Sequence, residues 1–410
     1  MNIRSFLFSN ISLKQTVTKN TFWLSLSYGC SKLLKFFVVV LAARALGPEG
    51  YGVFSYTLSF VGLFFIFSDM GIGTLVVRDY HHRLDLPSYL KTSFMLKVFF
   101  AIGAGILAAV GFWFGVFPVE LYALLVLFFV ISNIRDFAVS LLRALQRMEY
   151  EFIVHVVESL VVLVAGFSLF MLHPSPAILA SAYAIGSFVG LASAYYYVRN
   201  NNLFAAPWSL TIARQLTFSG FPMALFGLTS FIFFSTDQLL LGFFRGSADV
   251  GYYAVVARSI SIAALIPAFL SSALFPSLSQ HINNPTLRAR LFNNVLLILG
   301  IAGAGIAAAG FFLAPFVIPY IFGPEYIPSV RVFQVLVWII IFLFPNIFLD
   351  YFLFARNKQW LDFGITFSAA LLNLILNIAF IPVYGMYGAA IASIFAQGVN
   401  LVVTYSYAGS

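Results

Sequence analysis

Two lysines, Lys32 and Lys35, sit inside an apolar run at residues 22–44. An ammonium group at bilayer depth costs about 2.5–3.5 kcal/mol even on the lenient insertion scale. Ser25 and Tyr28 stand with them at i, i+3, i+7 and i+10, so the four share one helical face. A cationic face of this kind needs water or a negative partner, and what it offers chemically is recognition of an anion through charge-assisted hydrogen bonds. No acid lies near the two lysines on their own helix, which leaves three readings open. They line a cavity that receives something anionic, they pair with an acid of another helix such as Asp69, or they snorkel toward the interface.

Other ionisable groups fall at membrane depth. Lys97, Arg135 and Arg258 join the two lysines as candidate cavity cations, against Asp69, Asp136, Glu158, Asp237 and Asp350. The first half of the chain holds four of these cations and three of the acids, so an anionic ligand is drawn there. Ser132, Asp136, Ser140 and Arg143 make a polar stripe, with the side chain of Arg135 expected to point away from that of Asp136. Glu151, His155 and Glu158 follow at i, i+4 and i+7. That spacing suits an ion relay, because carboxylate and imidazole can pass a proton along one face. It suits equally a stripe that neutralises cations of a neighbouring helix. Asp237, in STDQLLLG, has a structural alternative as well, capping backbone or pairing with Arg258. Asn346 with Asp350, Asn373 with Asn377, and Ser393, Gln397, Asn400 with Thr404 form later polar stripes that suit either sugar contacts or interhelical hydrogen bonds. His81-His82 reads as a solvated loop rather than a metal site, and Cys30, the single cysteine, as packing. Gly71-Ile72-Gly73 has no strand before it and is no dinucleotide fingerprint. No spacing suggests a cofactor, a resident metal or an enzyme's catalytic set.

The elements that must position these groups are membrane helices. Of 410 residues, 61% are hydrophobic and 9% charged, a balance no water-soluble class shares. Hydropathy places twelve spans at 22–44, 51–77, 92–115, 119–142, 152–172, 176–198, 216–243, 252–278, 291–321, 330–355, 360–382 and 384–407. Fourteen Lys and Arg, from Arg4 to Lys358, fall on the side that carries the N-terminus, against Arg44, Arg245 and Arg331 on the other. The positive-inside bias then makes both termini cytoplasmic. The net charge of +8 is therefore a topology signal, not a nucleic-acid footprint. Residues 1–20 read as an uncleaved cytoplasmic tail, 21–199 as a first lobe of six spans, 200–214 as a cytoplasmic linker and 215–410 as a second lobe. An internal repeat supports the division: Gly50-Tyr51 matches Gly251-Tyr252, and Gly103-Ala104-Gly105 matches Gly303-Ala304-Gly305. With six spans between equivalents, the halves keep one orientation and are expected to be related by a pseudo-two-fold along the membrane normal, with substrate at their interface. The small residues of spans three and nine are expected to serve close helix packing.

The stretches LAARALGPEGYGVFSYTLSFVGLFFIFSDMGIGTLVVRD and FFSTDQLLLGFFRGSADVGYYAVVARSIS closely resemble the polysaccharide-export flippases of the Wzx type, members of a MATE-like superfamily with the lipid II flippases and the multidrug extruders. The resemblance covers nearly the whole chain. It implies an all-α integral membrane protein that translocates a polyprenyl-diphosphate-linked oligosaccharide for O-antigen, capsule or exopolysaccharide synthesis, by alternating access through a cation-lined cavity. It also implies residence in the cell inner membrane, with a polysaccharide polymerase and chain-length machinery as partners. The rival on the same architecture is an ion-coupled multidrug exporter. An organic cation needs an acidic pocket, and the first span offers lysines instead.

Overall fold

The computed structural model describes residues 13–115, 117–199, 207–281 and 285–409. The first twelve residues of the expected tail and 200–206 of the expected linker lie outside them. Fourteen α-helices occur among the described residues: α1 Leu13–Phe65, α2 Ile72–Asp79, α3 Leu86–Gly111, α4 Val119–Ala144, α5 Met148–Phe170, α6 Pro176–Val198, α7 Leu210–Phe244, α8 Ser247–Ala263, α9 Leu265–His281, α10 Pro285–Phe322, α11 Ile327–Leu336, α12 Ile339–Ala355, α13 Gln359–Tyr384 and α14 Met386–Gly409. The protein is all-α, as in lipid it must be, because only a helix or a closed barrel satisfies every backbone group of a spanning segment.

Ten helices among the described residues are long and apolar enough to cross a membrane, or eleven if a pair bent by 56°, Pro324–Leu336 with Ile339–Ala355, is one span. The expectation of twelve requires that pair to count once and α1 to count twice. α1 runs 53 residues but is broken at Gly47, whose φ of 66° and ψ of 179° leave the helix just before Pro48. An unbroken helix of that length would reach about 80 Å, against a hydrocarbon core of about 30 Å.

Three sequence boundaries move. The tail expected to end at 20 is already helical from Leu13, and Lys19 is buried, its Nζ 3.0 Å from Glu149. The span expected over 51–77 stops at a 3-10 turn, Ile66–Ser68, and restarts as α2, because Met70 and Gly71 both take positive φ. The straight span expected over 330–355 is the bent pair.

The chain divides into two compact units: 1–38 with 57–228, and 39–56 with 229–410. All three cuts fall inside helices, two in α1 and one in α7, not in the 200–214 loop, so the turn of the first hairpin belongs with the second half of the chain.

In the first unit α6 packs along α4 and α5. Ser175 caps α6, its hydroxyl accepting from the Ile178 N–H at 3.2 Å, and Pro176 supplies the first helical residue. Ala101, Ala104 and Ala108 make the packed face of α3. The neighbouring Gly103 faces open space, and so does Gly305 in the second unit, whereas Gly303 lies against the α12 backbone. Close packing thus holds for Gly303 and passes to alanines in α3.

In the second unit the 47–52 turn crosses the start of α8 at backbone contact. A Cβ on Gly52 would overlap the Ser247 carbonyl, and one on Gly251 the Pro48 carbonyl. Arg44 donates to the carbonyls of Ile321, at 2.7 Å, and Tyr320 at the end of α10. Arg245 donates to those of Ile381, Pro382 and Val383 near the end of α13, at 3.2, 2.8 and 2.8 Å. The guanidinium groups supply donors to carbonyls of the last helical turn, although Ile381 also accepts from the Gly385 N–H at 2.8 Å.

Candidate functional site

A cavity of about 560 Å³ opens in the first unit. α1 lines it with Ser27, Tyr28, Ser31, Lys32 and Lys35, and the Asp69 turn and α2 with Asp69, Gly73, Thr74 and Val77. α4 contributes Arg135, Asp136, Val139, Ser140 and Arg143, and α5 contributes His155. The helical face read from the sequence is therefore present, with Ser27 and Ser31 in the place given to Ser25.

Two carboxylates lie beneath this wall. Glu158, 1% exposed, sets Oε2 2.5 Å from Arg135 Nη1 and Oε1 3.5 Å from Lys35 Nζ. Glu151, also 1% exposed, takes a two-point fork from Arg143, at 2.9 Å and 2.5 Å. Arg135 turns its other nitrogens to Asp136, at 2.8 and 3.1 Å, although adjacent residues on a helix were expected to diverge. The arginine is long enough to curl back to its neighbour while still reaching α5. Gly190 of α6 makes room for this arrangement, since a Cβ there would press on Arg135 at 3.2 Å and Glu158 at 3.3 Å.

Burial sorts the charges. The glutamates are covered, while Lys35 is 38% and Arg143 40% exposed at the side chain. Lys32 stands beside them, its Nζ 5.9 Å from the ring centre of the exposed Tyr28. Asp69 and Asp136 are the acids that face the cavity, each 53% exposed. Five cations, Lys32, Lys35, Lys97, Arg135 and Arg143, thus meet four carboxylates, Asp69, Asp136, Glu151 and Glu158. Two cations, Lys97 and Arg135, are buried together with Glu151 and Glu158, so the single excess charge stays at the surface, where Lys32, Lys35 and Arg143 meet Asp69 and Asp136.

Lys32, Lys35, Arg135 and His155 line the cavity together. Lys97 does not line it: buried to 1%, it pairs with Asp69 from behind. Asp69 is thereby the partner of Lys97, while Glu158 is that of Lys35. Arg258 and Asp237 belong to the second unit. Arg258 is exposed and bonds the buried Tyr51 hydroxyl. Asp237 is buried and accepts from Tyr253, from Asn377 at 2.6 Å and from Ser393 at 2.9 Å, so those residues, not Arg258, are its partners. Asn373 joins the same network through Asn377 and Ser393, at 3.0 and 3.2 Å. Arg143 was missed as a site residue; the signal was its place in the Asp136, Ser140, Arg143 stripe, overridden by its value as a loop cation. Outside the spans, the Arg78 guanidinium 2.6 Å from Asp79 holds that carboxyl below the usual carboxylate range, and Tyr89 also donates to it at 3.0 Å.

The helical architecture is that of a multi-pass membrane protein with a MATE-like fold. The fold is similar to that of the lipid II flippase MurJ in an inward closed conformation, at 16% identity and a TM-score of 0.75, covering 94% of this chain and 87% of that one. It is similar also to a multidrug resistance MATE family transporter in an inward-facing conformation, at 13% identity and a TM-score of 0.69, covering 99% and 96%. The chain belongs to the polysaccharide biosynthesis protein family, whose profile matches residues 17–282. This agrees with the Wzx-type resemblance read from the sequence. A Shigella flexneri protein described as an O-antigen transporter is 25% identical over 403 residues, covering 92% of this chain and 94% of its own.

Proposed function

We propose that the protein is a flippase that carries a polyprenyl-diphosphate-linked oligosaccharide across the cytoplasmic membrane for surface polysaccharide synthesis, O-antigen, capsule or exopolysaccharide. The observation that carries this reading is the cavity wall, where Lys32, Lys35 and Arg143 are presented above the buried Arg135, Glu151 and Glu158. Diphosphate oxygens accept charge-assisted hydrogen bonds from ammonium and guanidinium groups, and a poorly solvated cavity strengthens them. Substrate and product are the same molecule on opposite leaflets, so the protein binds and releases without catalysing a covalent change. Both termini are cytoplasmic in this reading, the halves of the chain act as two lobes in alternating access, and a polymerase with its chain-length machinery takes the delivered repeat units. A multidrug exporter would need to hold organic cations, which a cavity with more cations than acids disfavours.

Deletion is expected to leave lipid-linked repeat units facing the cytoplasm, read by surface glycan staining and by extraction of the carrier lipid. The double variant Lys32→Ala, Lys35→Ala is expected to cut delivery at least about tenfold while the protein remains folded, a loss of about 1.4 kcal/mol or more. Full delivery by that variant, or unchanged surface glycan after deletion in a strain without a second transporter, overturns the reading. Resistance to cationic drugs conferred by the protein would support the exporter instead.

A further inference from the structure

His155 sits where the two buried carboxylates converge. Its Nε2 lies 3.8 Å from Glu151 Oε1, the oxygen that Arg143 holds at 2.5 Å, and its Nδ1 lies 3.7 Å from Glu158 Oε2, the oxygen that Arg135 holds at 2.5 Å. The imidazole therefore shares one oxygen of each glutamate with a cavity arginine. Both separations are just beyond hydrogen-bond range, so a small rotation of the ring closes either. The side chain lines the cavity and is 23% exposed, which gives a proton a path from cavity water.

Resting on the anionic-headgroup reading above, we propose that His155 is the site at which a proton binds together with the anion. A neutral imidazole carries one N–H and can donate to one glutamate, whereas an imidazolium donates to both. When a proton adds to the bare ring nitrogen, Glu151 and Glu158 gain a cationic partner that competes with Arg143, Arg135 and Lys35. Those three are freed in part from their carboxylates and turn toward the anion, and the cavity gains one positive charge. The proton and the anion then bind cooperatively, and the coupling is reciprocal: each tightens the other by the same factor.

The remaining charges around the ring fit this balance. α1 faces it with Lys32 and Lys35 and the phenol of Tyr28, α4 with Arg135, Asp136 and Arg143, and the turn before α2 with Asp69. α6 places Gly186 and Gly190 against Glu158, and neither carries charge. Histidine is the one side chain in this set that ordinarily changes charge between about pH 5 and pH 8.

The test uses the purified full chain in lipid nanodiscs, with UDP-N-acetylglucosamine as probe, because its diphosphate diester keeps both charges across that range. Calorimetry in buffers of different ionisation enthalpy reads affinity and proton uptake together. The wild type is expected to bind about tenfold more tightly near pH 5.5 than near pH 8 and to take up a proton on binding at the higher pH. His155→Gln is expected to bind with neither dependence, and His155→Lys, a fixed cation, to bind tightly at both values. If His155→Gln fails to fold, His155→Lys decides the matter: proton uptake on binding that is lost in that variant supports the site, and uptake that it retains overturns it. Binding that is equal at every pH with no proton uptake, or a pH dependence retained by His155→Gln, overturns the proposal and leaves the anion cavity standing. No binding at any pH overturns both.

Discussion

Glu158 shows how a single buried carboxylate organises a cationic surface. It lies between Arg135 and Lys35, under Gly190, with 1% of its side chain exposed. Neutralising it leaves the guanidinium of Arg135, 8% exposed, with only Asp136 to balance it. Removing one partner of a buried pair costs about 3–5 kcal/mol, far more than an exposed pair is worth. Glu158→Gln is therefore expected to lower the unfolding midpoint in detergent sharply, while Asp136→Asn, on the exposed side of the same arginine, changes it little. Equal midpoints for the two variants would show that burial does not set the weight of these charges. Lys97 follows the same logic, since the protein buries its ammonium and leaves the partner Asp69 half in the cavity.

At the scale of elements, the crossing of the 47–52 turn with the start of α8 is the tightest joint in the second unit. It depends on hydrogen atoms where any other residue has a carbon: Gly52 against the Ser247 carbonyl and Gly251 against the Pro48 carbonyl. Backbone cannot yield as a flexible side chain can, so overpacking there costs at least about 1–3 kcal/mol. Gly52→Val and Gly251→Val are each expected to reduce the yield of folded protein in size-exclusion chromatography, and Gly103→Ala, which faces open space, to leave it unchanged. Arg44 and Arg245 flank this joint at the same sequence spacing as Gly50 and Gly251, and each caps the end of a different helix. The repeat seen in the sequence thus recurs as a repeated capping device.

At the scale of the whole molecule, orientation rests on the asymmetry of fourteen cations against Arg44, Arg245 and Arg331. A green fluorescent protein fused after Ser410 is expected to fluoresce and an alkaline phosphatase fused there to stay inactive, as both respond to the side on which they fold. Active phosphatase would reverse the topology and with it the direction of transport argued for the cavity. The count of spans is a separate matter, because it turns on how Gly47 and the 56° bend are read.

The sequence by itself determined the all-α membrane class, the presence of a cationic face on the first span and the family. These follow from local quantities: hydropathy over about 20 residues sets a span, and a period of 3.6 residues places Tyr28, Lys32 and Lys35 together. Breaks were less legible, because Met70 and Gly71 turn the chain inside an apolar run that hydropathy reads as continuous. Which charge neutralises which was decided only by tertiary structure. Lys35 met Glu158 and not Asp69, Lys97 met Asp69, and Asp237 met Tyr253, Asn377 and Ser393. An ion pair depends on a distance between helices far apart in the chain, and no spacing along one helix encodes that distance. The charge of the cavity surface comes from the same source, since packing decides that Lys97 and Arg135 are buried with Glu151 and Glu158 while Lys35 and Arg143 stay partly exposed.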